Sequence, residues 1–285
     1  MNADRIGFIG LGQMGGPMAR RLAGWPGGLV VYDVRPQASE PLSEAGAQVA
    51  ASPRAVGEAA GLVSVMVRDD DQVRDVVGAL TDAAPHGTIV AIHSTISAAT
   101  ATRLAQRAQP FGIEVVDAPV SGGFMGASNG SLAVMVGGSP EAYRRCREPF
   151  GAWASLVLHM GPVGAGTRAK LARNLLHFVA FAAAGEAQRL AEASGIDLRK
   201  LAKVVRHSDT VTGGPGAIML RDTAAALDPG DPLYEILCHV RALGEKDLSL
   251  ALELGADSGV KLPLAHLALE RLATALGVPH QEDAK

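Results

Sequence analysis

Up to about Gly161 the chain alternates short apolar runs with stretches of helical periodicity. Ile6–Ile9, Leu29–Tyr32, Leu62–Val67, Thr88–Ile92, Ile113–Val116, Leu132–Val136 and Leu156–Leu158 are apolar runs that read as buried strands, with a short strand over Ala47–Ala50. Between them the spacing turns helical. Met14, Met18 and Leu22 recur at i, i+4 and i+8 in a helix that opens at Gln13. Further helices are predicted over Glu40–Ala45, Pro53–Ala60 with Ser52 as cap, Asp69–Leu80, Ala98–Ala108 and Pro140–Phe150. Strict alternation of this kind gives an open, largely parallel sheet covered on both faces. Ligands of such sheets gather beyond the carboxyl ends of the strands. Those ends carry Gly10–Gly15, Asp33, Val67-Arg68, Ser94-Thr95 and Ser121-Gly122-Gly123.

The pattern changes at Gly161–Gly166, beyond which no strand is predicted. Thr167–Ser194 reads as a single helix ended by Gly195. It is apolar around much of its circumference (Leu171, Leu175, Phe178, Val179), which predicts burial against several neighbours. Helices over Leu198–Val205, Tyr234–Leu254 and Leu264–Leu276 follow, with a loop over Ser208–Gly216 and a disordered tail over His280–Lys285. The fold class is therefore α/β: an N-terminal doubly wound domain, residues 1–162, then an all-helical domain, residues 163–285, for substrate and oligomerisation. So long and apolar a helix predicts a homodimer or homotetramer.

The first strand runs directly into Gly10-Leu11-Gly12-Gln13-Met14-Gly15. Strand, glycine turn and helix in that order form a Rossmann-type dinucleotide fingerprint. The first glycine permits the turn, the second admits the pyrophosphate, and the third packs helix on strand. Asp33 ends the second strand, eighteen residues after Gly15, where an acid can accept both ribose hydroxyls of NAD. Arg35 is placed to accommodate a 2′-phosphate, so NADP stays open. Val67 completes the cofactor-binding set on this side.

Composition narrows the class. A net charge of −3 gives no reason to propose nucleic acid or an anionic membrane as partner. Cys146 and Cys238 lie far apart, as reduced thiols of a reducing compartment would. There is no signal-peptide pattern, and the apolar run near Leu175–Ala184 is too short to span a bilayer, so a soluble cytoplasmic protein is expected. The Asp69-Asp70-Asp71 triplet reads as a first helical turn complementing the macrodipole rather than a metal site. His86, His159 and His177 are scattered without ligand spacing, and no metal is expected.

Chemistry is predicted where the long helix begins. Lys170 and Asn174, at i and i+4, project from one face. Lys170 stands among Ala169, Leu171 and Ala172; desolvation there lowers an amine toward acid–base duty near neutral pH.

Four segments carry a resemblance: Gly7–Met18, Asp117-Ala118-Pro119-Val120-Ser121-Gly122-Gly123, Gly164-Ala165-Gly166 through Lys170 to Asn174, and Glu245-Lys246-Asp247-Leu248. In order and spacing they resemble the β-hydroxyacid dehydrogenase family, with its 3-hydroxyisobutyrate dehydrogenase-like and 6-phosphogluconate dehydrogenase-like members. The resemblance implies roles. Lys170 is the catalytic lysine. Ser121, Gly122, Gly123 and Asn174 bind the substrate, the loop holding its carboxylate. Thr95 lies beside the nicotinamide, and Lys246 lies near cofactor and substrate. The implied reaction is reversible oxidation of a small 3-hydroxy acid, the hydride passing to nicotinamide and the proton to Lys170. The sequence departs from the family pattern at Arg173, His93 and Val67-Arg68. Arg68 or Arg173 entering the cleft would favour a substrate with a second anionic group. The competing readings are an NADPH-dependent reductase of semialdehydes or imines, and a non-catalytic nucleotide-binding scaffold. Imine-reducing and scaffold relatives usually lack the lysine that this chain retains.

Overall fold

A computed structural model describes residues 5–280 of the chain; the tail residues 281–285 lie outside it. The chain divides into two compact units, Met1–Arg173 and Asn174–Lys285.

The first unit is a nine-stranded sheet in the order β3-β2-β1-β4-β5-β6-β8-β7, with β9 paired to β8. Its strands are β1 (Ile6–Ile9), β2 (Leu29–Tyr32), β3 (Gln48–Val49), β4 (Leu62–Val65), β5 (Ile89–Ile92), β6 (Glu114–Asp117), β7 (Val120–Ser121), β8 (Leu132–Gly137) and β9 (Ala154–Gly161). The helices are α1 (Gly15–Arg20), α2 (Glu40–Glu44), α3 (Pro53–Ala59), α4 (Asp70–Thr81), α5 (Ala98–Ala108), α6 (Gly123–Asn129) and α7 (Pro140–Gly151). The continuous apolar runs follow from burial on both faces, because successive side chains of a strand point to opposite sides. Phe8, Val31, Ala91 and Val116 pack on one face with Met18 of α1, Leu42 of α2, Ala127 of α6 and Phe150 of α7. Their strand neighbours Ile9, Val30, Val90 and Val115 pack on the other with Val56 of α3, Val77 of α4 and Leu104 of α5.

From β3 to β6 every pairing is parallel. The direction reverses at β8, antiparallel to β6 and β7. The chain between β6 and β8 is short and its helix α6 has only seven residues, less than the crossover a parallel partner needs. Neither β7 nor α6 is visible in the apolar pattern: α6 is Gly-Phe-Met-Gly-Ala-Ser-Asn, with no amphipathic stripe. At α4 each acid of the triplet has a partner: Asp69 caps the helix through the Gln72 amide, Asp70 accepts from the distant Ser97 amide, and Asp71 pairs with Arg74.

The second unit is helical. The helix α8 (Ala165–Ala193) crosses the division, and α9 (Leu198–Thr212), α10 (Tyr234–Asp257) and α11 (Pro263–Leu276) follow. The predicted loop starting at Ser208 is helical as far as Thr212, where Gly213 takes a left-handed φ of 89°. Leu237 of α10, Leu276 of α11 and Val278 form the small core. Glu186 of α8, buried, accepts from the amides of Leu264 and Ala265 and so closes the start of α11. Among the described residues much of the α8 apolar face is left uncovered: Leu175 is 68% and Phe178 60% exposed. No helix among the described residues is long and apolar enough to cross a membrane.

Candidate active site

The glycine loop joins β1 to α1. Gly10 has a φ of +91°, and a Cβ there would overlap the Met66 carbonyl oxygen. A Cβ on Gly15 would overlap the Gly10 carbonyl oxygen and press on Phe8, so the third glycine is what lets α1 lie against β1. Gly12 differs: the nearest atom to a Cβ is Arg35 Nη2 at 3.9 Å, so this backbone faces open space. The helix begins at Gly15, two residues later than predicted, leaving Gln13 and Met14 in the turn.

This turn forms one wall of a cavity of about 690 Å³. Gly10, Gly12, Gln13, Met14 and Gly15 line it together with Asp33 and Arg35 beyond β2 and Val67 and Arg68 beyond β4. Leu11 is buried outside the lining, and its amide donates to Asp33 Oδ2 at 2.7 Å. Asp33 Oδ1 accepts from the Arg35 amide at 2.9 Å and from Arg35 Nε at 3.3 Å. Burial opposes the charge, but the amides of Arg35 and Leu11 and the Arg35 guanidinium outweigh it and hold the carboxyl below its ordinary range. A carboxylate has about four lone-pair sites, and three are taken here. Beyond these intramolecular bonds, Asp33 keeps about one acceptor site for a ribose hydroxyl.

The other strand ends are braced against one another. The Ser94 hydroxyl, after β5, accepts from the Val67 amide and donates to the Val67 carbonyl, at 2.9 and 2.7 Å. Thr95, next in the chain, is exposed. His93 is fully buried among Phe8, Phe150 and Trp153. Its Nδ1 lies 2.8 Å from the Ala118 carbonyl oxygen, so Nδ1 donates and Nε2 accepts from the Ser64 hydroxyl at 3.0 Å. Burial lowers its pKa to about 4, against the pull of the Ala118 carbonyl. The ring is a neutral brace between β4, β5 and the chain after β6. Because its folded pKa lies below the free value, it stabilises the fold above pH 6.5, and this contribution is lost as pH falls toward 4. The full swing is on the order of 3 kcal/mol. Chemical denaturation at pH 7 and pH 4.5 should show a smaller pH slope in His93→Gln than in the wild type; equal slopes would remove His93 from the acid response.

After β6, Ser121 ends β7 paired with Ala133. Gly122 and Gly123 are exposed, with φ of 131° and 62°, and the left-handed backbone turns the chain into α6. Lys170 stands near the start of α8 and is only 9% exposed. Burial, and then the nearby positive charge of Arg173, lower its pKa from the ordinary lysine value. Arg68 is instead exposed at the rim of the cavity and paired with Asp69. Asn174 and Lys246 lie in the second unit, Lys246 on α10 with its Nζ 2.9 Å from Asp247. Sequence reasoning gave no roles to His93, Ser94 or the Asp117 side chain. Their partners are 25 to 50 residues away in the chain, so no local pattern marks them.

This arrangement, a glycine-walled nucleotide cavity at the carboxyl ends of a doubly wound sheet, defines an NAD-binding oxidoreductase. Residues 5–161 match the model of the NAD binding domain of 6-phosphogluconate dehydrogenase. An uncharacterized oxidoreductase of Mycobacterium tuberculosis is 59% identical over 281 residues, 98% of this chain and 95% of that protein. The NAD-dependent L-serine dehydrogenase of Pseudomonas aeruginosa is 36% identical over 273 residues, 93% and 90% of the two chains. The structure of M. tuberculosis 3-hydroxyisobutyrate dehydrogenase with L-serine superposes with a TM-score of 0.68 at 32% identity, covering 95% of this chain and 92% of that one. The chain belongs to the 6-phosphogluconate dehydrogenase and 3-hydroxyisobutyrate dehydrogenase family of NAD-binding oxidoreductases.

Proposed function

We propose that the protein catalyses reversible oxidation of a small 3-hydroxy acid, with Lys170 as the acid–base group. The observation that carries this is the nearly buried Lys170 amine, held below the ordinary lysine range at the start of α8. The open backbone at Gly12 and the cavity beside Asp33 and Arg35 fit a dinucleotide. Gly10–Gly15 would hold the pyrophosphate, Asp33 and Val67 the adenosine side, and Thr95 the nicotinamide side; Lys246 is assigned to the cofactor by the family resemblance alone. The nicotinamide, when bound, supplies the hydride acceptor. Ser121 and the amides of Gly122 and Gly123 would hold the substrate carboxylate, and Asn174 would bind the substrate. The neutral Lys170 amine takes the hydroxyl proton during oxidation, and the ammonium returns it during reduction. Serine and 3-hydroxyisobutyrate, in the names of the relatives, are both small 3-hydroxy acids, which supports this substrate class. The test is nicotinamide absorbance over a panel of small 3-hydroxy acids with NAD and NADP, and Lys170→Ala as control. Turnover of no acid, with nucleotide still bound, would sink the hydroxy-acid reading and turn attention to imines.

Both nucleotides are expected to serve, because Arg35 neutralises Asp33 and faces the same cavity. Arg35→Ala is expected to lower kcat/KM for NADP about tenfold relative to NAD, the scale of one lost charge-assisted contact. An unchanged NADP/NAD ratio would show that Arg35 does not reach the 2′-phosphate. We also propose that a second copy covers the apolar face of α8, giving a homodimer or homotetramer. Leu175, Phe178 and Phe181, spaced three residues apart on one helix, are all more than half exposed and offer an apolar face for a partner. Sedimentation velocity reads this directly, and a monomer at micromolar concentration would refute it.

A further inference from the structure

Asp117 is wholly buried, and both of its oxygens are taken by the start of a single helix. The Gly164 amide donates to Oδ1 and the Thr167 amide to Oδ2, each at 2.6 Å. By its main chain the same residue belongs to β6, with Cα partners Ile92 in β5 and Gly137 in β8. The four residues after it, Ala118 to Ser121, lead into the Gly122-Gly123 turn. One residue therefore ties the glycine turn through its backbone and the helix start through its carboxylate. Thr167 lies three residues before Lys170 on the same face of α8, about 4.5 Å along the axis.

The seat is tight on every side. A Cβ on Gly137 would overlap Asp117 Oδ1, and a Cβ on Gly166 would come within 2.6 Å of the Asp117 carbonyl oxygen. Burial raises the Asp117 pKa, and the two amides oppose that rise. The positive end of a 29-residue helix also favours a carboxylate at this point.

We propose that Asp117 is a positioning residue for Lys170: its carboxylate fixes the height and rotation of the α8 start relative to the Ser121–Gly123 loop. The proposal rests on the reading of Lys170 as the acid–base group. A misplacement of about 1 Å can cost about a hundredfold in rate, so a two-point anchor one turn before the lysine has consequences beyond stability.

Asp117→Asn tests it. The amide keeps the shape but turns an NH₂ toward one of the two backbone donors, so one bond is lost. Gly137→Ala presses on the carboxylate and on the Gly166 amide beside it, and so disturbs the same seat from β8. Ser139→Ala removes the cap that accepts from the Ala142 amide at the start of α7 and controls for general destabilisation in the same unit. The primary readout is the pH midpoint of Lys170 acetylation, resolved by peptide mass spectrometry, which needs neither cofactor nor substrate. In Asp117→Asn and Gly137→Ala the midpoint should rise by about one pH unit, as the loosened helix start admits water to the amine. In Ser139→Ala it should not move. Turnover should fall about 10- to 100-fold in the first two variants, with NADH affinity unchanged by fluorescence titration. An unmoved midpoint in Asp117→Asn overturns the proposal whatever the turnover, and so does an equal shift in Ser139→Ala. Should Lys170→Ala retain turnover, the acid–base reading fails separately, and the acetylation midpoint still reports whether Asp117 sets the lysine.

Discussion

Lys170→Ala is expected to lose about 10³-fold in kcat while NAD affinity stays within about twofold, the range for removal of a positioned acid–base group. The nucleotide cavity is built from the ends of β1, β2 and β4, and Lys170 is not among its lining residues. Lys170→Arg should fail as well, because a guanidinium does not release its proton in this pH range. The pH profile gives the sign. Oxidation needs the neutral amine, so the acid limb of kcat/KM tracks the Lys170 pKa. Arg173 helps to depress that pKa, so Arg173→Ala should move the acid limb to higher pH. Steady-state absorbance across pH measures both effects. Wild-type turnover in Lys170→Ala would remove the lysine from the chemistry.

Gly12→Ala is expected to fold like the wild type and to bind nucleotide at least about tenfold more weakly. Among the described residues, apart from its chain neighbours, none comes closer than 3.9 Å to the added carbon, so stability should change by less than about 0.5 kcal/mol. The carbon would occupy the space through which a pyrophosphate approaches the backbone. Gly15→Ala should do the opposite. Its carbon collides with the Gly10 carbonyl and with Phe8, so the expected loss is about 1–3 kcal/mol of stability from forcing α1 off β1. Thermal unfolding and NADH titration of the two variants side by side separate a ligand-facing glycine from a packing glycine. Equal affinities for Gly12→Ala and the wild type would mean that the nucleotide does not approach there.

These two glycines show what kind of information the sequence holds. The fingerprint placed both at the strand–helix turn, and it also assigned one to ligand and one to packing, because the spacing of the motif encodes that geometry. The same holds for the strands, whose apolar runs are set by burial on both faces, and for the cap at Ser52, which acts within three residues. The burial of Lys170 was legible, because its alanine- and leucine-rich surroundings pointed to desolvation; the role proposed for it comes from the order of the motifs.

Other features depend on partners that the chain brings together only on folding. Asp33 carries its acid at the expected place, yet its oxygens are occupied by Leu11 and Arg35, and that distinction sets how much of it remains for a ribose. His93 stood out only as a departure from pattern. Its neutrality comes from burial among Phe8, Phe150 and Trp153, drawn from across the first unit, which outweighs the pull of the Ala118 carbonyl. The exposed apolar face of α8 shows the limit of periodicity, which reports that a face is apolar and not what covers it.

By itself, then, the sequence determined the α/β order of elements, the helical second half, the glycine turn and the lysine, because each is written in local spacing and in the chemistry of neighbouring residues. Only the tertiary structure decided the reversal at β8, the engagement of Asp33, the neutral His93 and the Asp117 anchor. Each of those depends on a hydrogen bond or a steric limit between residues far apart in the chain, which exists only once the sheet has brought them together.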